Sequence, residues 1–281
     1  EPASGIPAGM RSWVRLIHSA VVAAVRNNLL NWAAAMSFYF LFAFFPTVLL
    51  AASILSAFHL RGLHDNLLAT ASSNLPGSAA KLVREQLQAL MQEHASALIS
   101  FSTAVLVFSA SQAFFELMAA LSGTYEQVET RPYLRRFGLS LLLALSAGVF
   151  TVLALTVIVL GKHLLEIIAG PLPAASLLLR LWPLLRWSAT VGFMMLALLL
   201  LYRLAPSVPP PRSGRMAAAV AATCLWLAAS AGLAAYFNRF SKYSVIYGSL
   251  GAVTALMMWF YLGALAILFG AELHQAWLRQ R

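Results

Sequence analysis

Five positions in one apolar stretch carry groups suited to handling a polar cargo. Ser102, Ser109, Gln112, Glu116 and Gly123 follow one another at steps of seven, three, four and seven residues. That spacing sets them along one side of an α-helix. Between them stand mainly Leu, Val, Phe and Ala. A charged side chain at the centre of a spanning helix costs about 2.5–3.5 kcal/mol on insertion scales, so it turns toward a bundle interior, a cavity or a counter-charge. The chemistry on offer is a polar path for a headgroup or a proton, with Ser102, Ser109, Gln112 and Glu116 as its wall and Glu116 as the titratable member. The plainer alternative is a structural carboxylate near the membrane interface, paired with an arginine such as Arg203.

A second group gathers at a turn. Asn238, Lys242, Tyr243 and Tyr247 can gate an opening or hold a lipid phosphate by charge and hydrogen bonds. An interfacial belt of amphipathic side chains explains the same residues. Glu272 closes the last apolar run and reads as a helix-end charge at the interface, facing Arg279 or the neighbouring loops. Pro46 lies inside the first apolar run, where a kink is expected. His59, His64, Asp65, Glu93 and His94 are the one set that could gather a metal, yet they show no HExxH pattern and no close Cys/His spacing. The chain also lacks a phosphate-binding glycine loop and a GxSxG elbow. Its nine acids are spread along the chain and do not make the clustered acidic metal site that nuclease chemistry uses. No enzyme activity, resident metal or cofactor is expected, and no nucleic-acid partner.

The elements that must position these groups follow from composition. Of 281 residues, 61% are apolar and 10% charged, against roughly 25% charged in a soluble domain. So few charges cannot coat a soluble surface, and so apolar a chain is not disordered. A spanning helix uses about 20 apolar residues, and six such runs are predicted near 29–58, 96–121, 137–161, 182–204, 214–237 and 248–271. Before them, residues 1–28 form a flexible lead and a basic amphipathic surface helix, with Arg11, Arg15, His18 and Arg26 interleaved among Trp13, Leu16, Val21 and Val22. Between the first two runs, residues 59–94 read as two short amphipathic helices on the outer side. Residues 276–281 form a short tail. The net charge of +10 comes from scattered single and paired cations, the pattern of topology and headgroup charges. With both termini inside, eleven of the 19 Lys and Arg fall on the inner side and eight on the outer, a bias that favours this orientation. The lone Cys224 excludes an intrachain disulfide. No cleavable leader pattern stands at the start, so the first span is expected to act as the targeting signal. Ala217, Ala221, Ala228, Gly232 and Ala235, with Gly248, Gly251, Gly263 and Gly270, are read as close-packing positions.

Several stretches resemble one family. Tyr247-Gly248-Ser249-Leu250-Gly251-Ala252-Val253, then Trp259-Phe260-Tyr261-Leu262 and Gly270-Ala271-Glu272-Leu273, resemble the closing signature of the YihY/BrkB family. Ala33-Ala34-Ala35-Met36-Ser37-Phe38-Tyr39-Phe40, leading to Phe45-Pro46, resembles its opening signature, although Ser37 and Phe38 stand where an Ala-Tyr pairing is more usual. Tyr125 through Arg136, Tyr202-Arg203-Leu204-Ala205-Pro206 and Trp226 fall where that family would place them, and the resemblance spans about 27–275. It implies a bacterial inner-membrane protein of six spans with cytoplasmic termini. Members once carried the label ribonuclease BN, which later moved to an unrelated soluble enzyme. One branch is named for a serum-resistance locus, and others are tied to export of envelope lipids. The expectation is an all-α integral membrane bundle that moves, or helps to move, a lipid or other amphipathic envelope component. A non-transporting scaffold for an envelope assembly is the alternative, and a membrane-bound hydrolase stands last. Expected partners are membrane lipids, with a homo-oligomer or an envelope-assembly protein as a further possibility.

Overall fold

Long runs of Leu, Ala, Val and Phe bury every backbone polar group only as helices, because a bilayer offers no water to take up a free N–H or C=O. The computed structural model describes residues 8–57, 95–159, 161, 165, 175–239 and 243–280. Seven helices and no strand occur among them. They are α1 (Ala8–Arg26), α2 (Leu29–Ala57), α3 (Ala95–Thr124), α4 (Tyr133–Val159), α5 (Ala175–Leu204), α6 (Arg215–Arg239) and α7 (Tyr243–Arg279). The last six are long and apolar enough to cross a membrane, over Leu29–Val48, Ser100–Thr124, Tyr133–Ile158, Arg180–Leu204, Arg215–Phe237 and Gly251–Arg279. The protein is an all-α membrane protein. The predicted outer segment 59–94 lies outside the described residues.

Local chemistry sets the breaks. Asn27 and Asn28 separate α1 from α2. Asn28 adopts φ 54°, a left-handed conformation that asparagine enters more readily than most side chains. Its carbonyl then accepts the Asn31 and Trp32 amides, opening α2. Glu126, at φ 56°, ends α3 as its amide bonds the Gly123 carbonyl. Gly214, at φ 87°, offers its carbonyl to the Ala218 amide and so starts α6. Pro46 sits buried inside α2, which runs through it, and α5 likewise runs through Pro183, which is exposed.

The helices form a closed ring. Each of α2 to α6 packs on the next, α7 packs on α6 and returns to α2, and α7 also touches α3. Helix α1 lies across α7 and the start of α2. The main buried cluster draws on all six spanning helices, with Met36, Leu117, Leu121, Leu143, Leu201, Ala219 and Leu268 among its members. It is concentrated at the end of the bundle that carries α1, the 125–132 loop, the 205–214 loop and the end of α7. There Tyr202 is fully buried and donates to the Ile267 carbonyl at 2.7 Å. Toward the middle, Phe260 of α7 meets Phe40 and Phe44 of α2 at 5.9 and 6.1 Å. The opening and closing sequence signatures therefore touch.

The small residues and the amphipathic helix divide between buried and outward faces. Of the α6 series, Ala217, Ala228, Gly232 and Ala235 face outward, while Ala218, Ala219 and Ala222 make the close approach inside the chain. Helix α1 buries Leu16, Ala20 and Ala23 but leaves Ile17, Val21, Val22 and Val25 exposed. A face this apolar is of the kind that lies in the bilayer boundary.

Candidate functional site

The end of α7 is encased rather than interfacial. Leu268, Gly270, Ala271, Glu272, His274 and Ala276 are all buried, because α1, the α1–α2 turn, the end of α3 and the 205–214 loop surround the helix there. Glu272 is 0% exposed, so the expected solvated helix-end charge is not what forms. Its Oε1 accepts Asn27 Nδ2 at 2.6 Å. Thr124, the last residue of α3, neighbours the same carboxyl. A hydroxyl that faces a carboxylate donates to it, so Asn27 and Thr124 together hold the Glu272 carboxyl. Arg279, the expected partner of Glu272, bonds Glu126 instead at 2.7 Å, and Arg26 reaches the same Glu126 oxygen at 3.1 Å. Both pairs are largely exposed, so they fix three segments in register more than they stabilise.

A hydrogen-bonded relay lies beside this carboxyl. His274 Nε2 is 2.8 Å from the Ser213 carbonyl, and His274 Nδ1 is 3.0 Å from Tyr125 Oη. A carbonyl only accepts, so Nε2 carries the proton and Nδ1 receives the tyrosine hydroxyl. Burial pushes the Tyr125 hydroxyl well above its ordinary range, Arg215 opposes this and Glu272 adds to it. The phenol therefore remains a donor. Gly214 leaves room for the ring, since a Cβ there would stand 2.8 Å from His274 Cδ2.

Arginines tie down the loops. Arg131 donates to the Ala205 carbonyl at 3.3 Å and to that of Pro206, at the end of α5, where a cation also meets the negative helix terminus. Burial lowers its pKa and Glu129, with Nε–Oε1 at 3.6 Å, raises it. Gln127 clasps Val208 twice, at 2.9 and 2.8 Å. Arg136 donates to the Phe115 carbonyl at 2.8 Å and lies 3.6 Å above the Phe115 ring centre.

The polar stripe of α3 runs along the margin of the buried face. Ser102 and Ser109 are buried, Gln112 and Glu116 half-buried, and Gly123 exposed. No ion pair joins Glu116 to Arg203 among the described residues, and Arg203 is exposed. Lys242 lies outside the described residues. Asn238 falls near the end of α6, and Tyr243 and Tyr247 in the first turns of α7. Among the described residues no three His, Cys, Asp or Glu side chains gather to hold a metal. His59, His64, Asp65, Glu93 and His94 lie outside them.

On the flank, α1, α2, α6 and α7 enclose a groove of 390 Å³. Its wall includes Val21, Val25, Leu30, Leu225, Leu265 and Phe269, and every lining residue is apolar. Its size falls within the range of about 300–1,000 Å³ typical of small-molecule sites. Sequence periodicity gave no sign of it, because apolar residues facing a groove and apolar residues facing lipid follow the same spacing.

A ring of six spanning helices with a polar end and an apolar flank defines a polytopic membrane protein. The profile of the family described as Virulence factor BrkB matches residues 20–281, and the chain belongs to that family. It is 28% identical over 243 residues to the ribonuclease-like protein YfkH of Bacillus subtilis, covering 86% of this chain and 87% of that protein. It is 27% identical over 252 residues to a UPF0761 membrane protein of Halorhodospira halophila, covering 87% of this chain and 53% of the relative. A UPF0761 membrane protein of Pseudomonas aeruginosa is 28% identical over 256 residues, with 86% and 58% covered. The chain thus spans little more than half the length of these UPF0761 relatives. No solved structure matches it.

Proposed function

We propose that this protein moves, or helps to move, a lipid or other amphipathic envelope component through the bacterial inner membrane. The observation that carries the reading is the lateral groove. It is wholly apolar, it is bordered by the boundary helix α1, and its far wall reaches Leu225 and Leu262, well inside α6 and α7. That shape suits one acyl chain. The buried hydroxyls of Ser102 and Ser109 and the half-buried Gln112 and Glu116 supply a polar edge on another side of the ring, as a headgroup path needs. The charge bias orients both termini toward the cytoplasm. The reading involves no enzyme chemistry and no nucleic acid.

The test is native mass spectrometry of the gently extracted protein, followed by flipping of the retained lipid class in proteoliposomes. A stoichiometric lipid that is lost in Ala229→Trp, which fills the groove, supports the reading. A bare protein, or unchanged flipping in Ala229→Trp, sinks it. A scaffold or homo-oligomer is the second reading. It is favoured by the outward small-residue face of α6, which has no partner helix within the described chain.

A further inference from the structure

Helix α1 carries charge of one sign only. Arg11, Arg15, His18 and Arg26 lie on it, and no Asp or Glu occurs from residue 2 to residue 64. A solvated helix commonly pairs its cations with acids three or four residues away, and α1 has none to offer. The acid that does reach it is Glu126, which bonds Arg26 and is shared with Arg279. Arg15 and His18 stand exposed farther back along the helix. Steps of three and four then join His18 to Val21 and Val25 on one side of α1. That side faces outward, since Val21, Val22 and Val25 are exposed while Leu16, Ala20 and Ala23 pack inward. Val21 and Val25 also form part of the α1 wall of the apolar groove. The cations and the groove therefore adjoin, with His18 about 5 Å along the helix axis from Val21. From there the groove follows α7 from Phe269 to Leu262, about 10 Å of helix. Cations at the mouth of a slot with a wholly apolar lining match a phosphate with a hydrocarbon chain leading away from it.

We propose that the groove holds a phospholipid of net negative charge, of the phosphatidylglycerol kind, with one acyl chain along Phe269, Leu262 and Leu225 and its phosphate at Arg15 and His18. Arg15 supplies a permanent charge and a forked set of donors, and His18 an N–H. A zwitterionic lipid would bring its ammonium group against the same cations, with no carboxylate on α1 to receive it. The groove supplies the hold on the chain, and α1 selects the headgroup. This assignment rests on the reading of the groove as a lipid site and adds the class of lipid it takes.

The test is native mass spectrometry of the full chain in detergent with an equimolar mixture of phosphatidylglycerol and phosphatidylethanolamine of identical acyl chains. A basic side chain near anionic lipid favours it about fivefold, so the first lipid retained should be phosphatidylglycerol by about that ratio. Ala229→Trp, which fills the groove, should abolish the retained lipid. The Arg15→Gln, His18→Gln double variant should bring the ratio of the two lipids close to one. If that variant does not fold, wild type is followed as ammonium acetate is raised from about 0.1 to 1 M, which shortens the screening length from about 10 to 3 Å. The preference should then narrow toward parity. Equal retention of the two lipids overturns the proposal, as does a preference that survives Ala229→Trp, the double variant or the salt. A dimer that retains no lipid also overturns it and makes a second copy the occupant of the groove. Flipping in proteoliposomes separates this assignment from the transport reading. Selective retention without flipping overturns transport alone, and flipping with equal retention of both lipids overturns the headgroup assignment alone.

Discussion

Glu272 shows how much a single position depends on what encloses it. The Asn27 amide donates to its Oε1 at 2.6 Å. Asn27→Ala strands a buried carboxyl oxygen and should lower stability by about 1–3 kcal/mol, checked by thermal unfolding of purified protein. Glu126 behaves differently. Its pairs with Arg26 and Arg279 are open to solvent, so Glu126→Gln should cost less than about 1 kcal/mol. Tyr125 yields a pH prediction. Burial raises its pKa, so its contribution is complete below the unfolded value of about 10 and is lost as pH climbs toward the higher folded value. Alkaline melting curves should show stability falling above about pH 10, with a shallower fall in Tyr125→Phe. Parallel wild-type and Tyr125→Phe slopes would remove that residue from the account.

The decisive contact between elements is the crossing of α7 over α6, with Tyr202 reaching in from α5. A Cβ on Gly270 would lie 2.6 Å from Tyr202 Oη and 2.9 Å from both the Ala218 carbonyl and Ala222 Cβ. Two of those three neighbours belong to a helix backbone or its first carbon and cannot rotate away. Gly270→Ala should therefore cost about 1–3 kcal/mol through forced separation of the helices, and should weaken the Tyr202–Ile267 bond. Gly232 offers the contrast, because nothing lies within 4 Å of a Cβ there. Gly232→Ala should leave the monomer's melting temperature unchanged or slightly raised. A larger loss at Gly232 than at Gly270 would mean that the outward face of α6 is packed against another chain.

Across the whole molecule, the ring leaves two features open to the bilayer, the apolar groove and the α6 face. Cys224 lies exposed on that face, in line with Ala217, Ala228 and Ala235. Oxidative crosslinking in native membranes should join Cys224 to the Cys224 of a second copy if α6 is the oligomer interface. A monomer band alone would leave lipid as the neighbour of α6. In proteoliposomes, Glu116→Gln should fold normally and slow flipping at least severalfold if the α3 stripe borders the path. Undiminished flipping by the folded variant would take Glu116 out of it.

The sequence alone determined the class, because apolar runs of this length with 10% charge can satisfy their backbones only as membrane helices. It also marked most of the segments that meet at the polar end, among them Tyr125, Tyr202 and Gly270–Leu273. It misplaced Glu272, and it left open whether the small residues of α6 pack inside the chain or against another copy. A helix-end carboxylate looks the same in sequence whether water or four other segments surround it. Only the tertiary structure decided that α1, the end of α3 and the 205–214 loop close over α7. Residues 27, 124 and 272 are brought together by ring closure, and separations of about 100 residues or more carry no periodic signal. The apolar groove came from the same closure, since facing a void and facing lipid demand the same side chains.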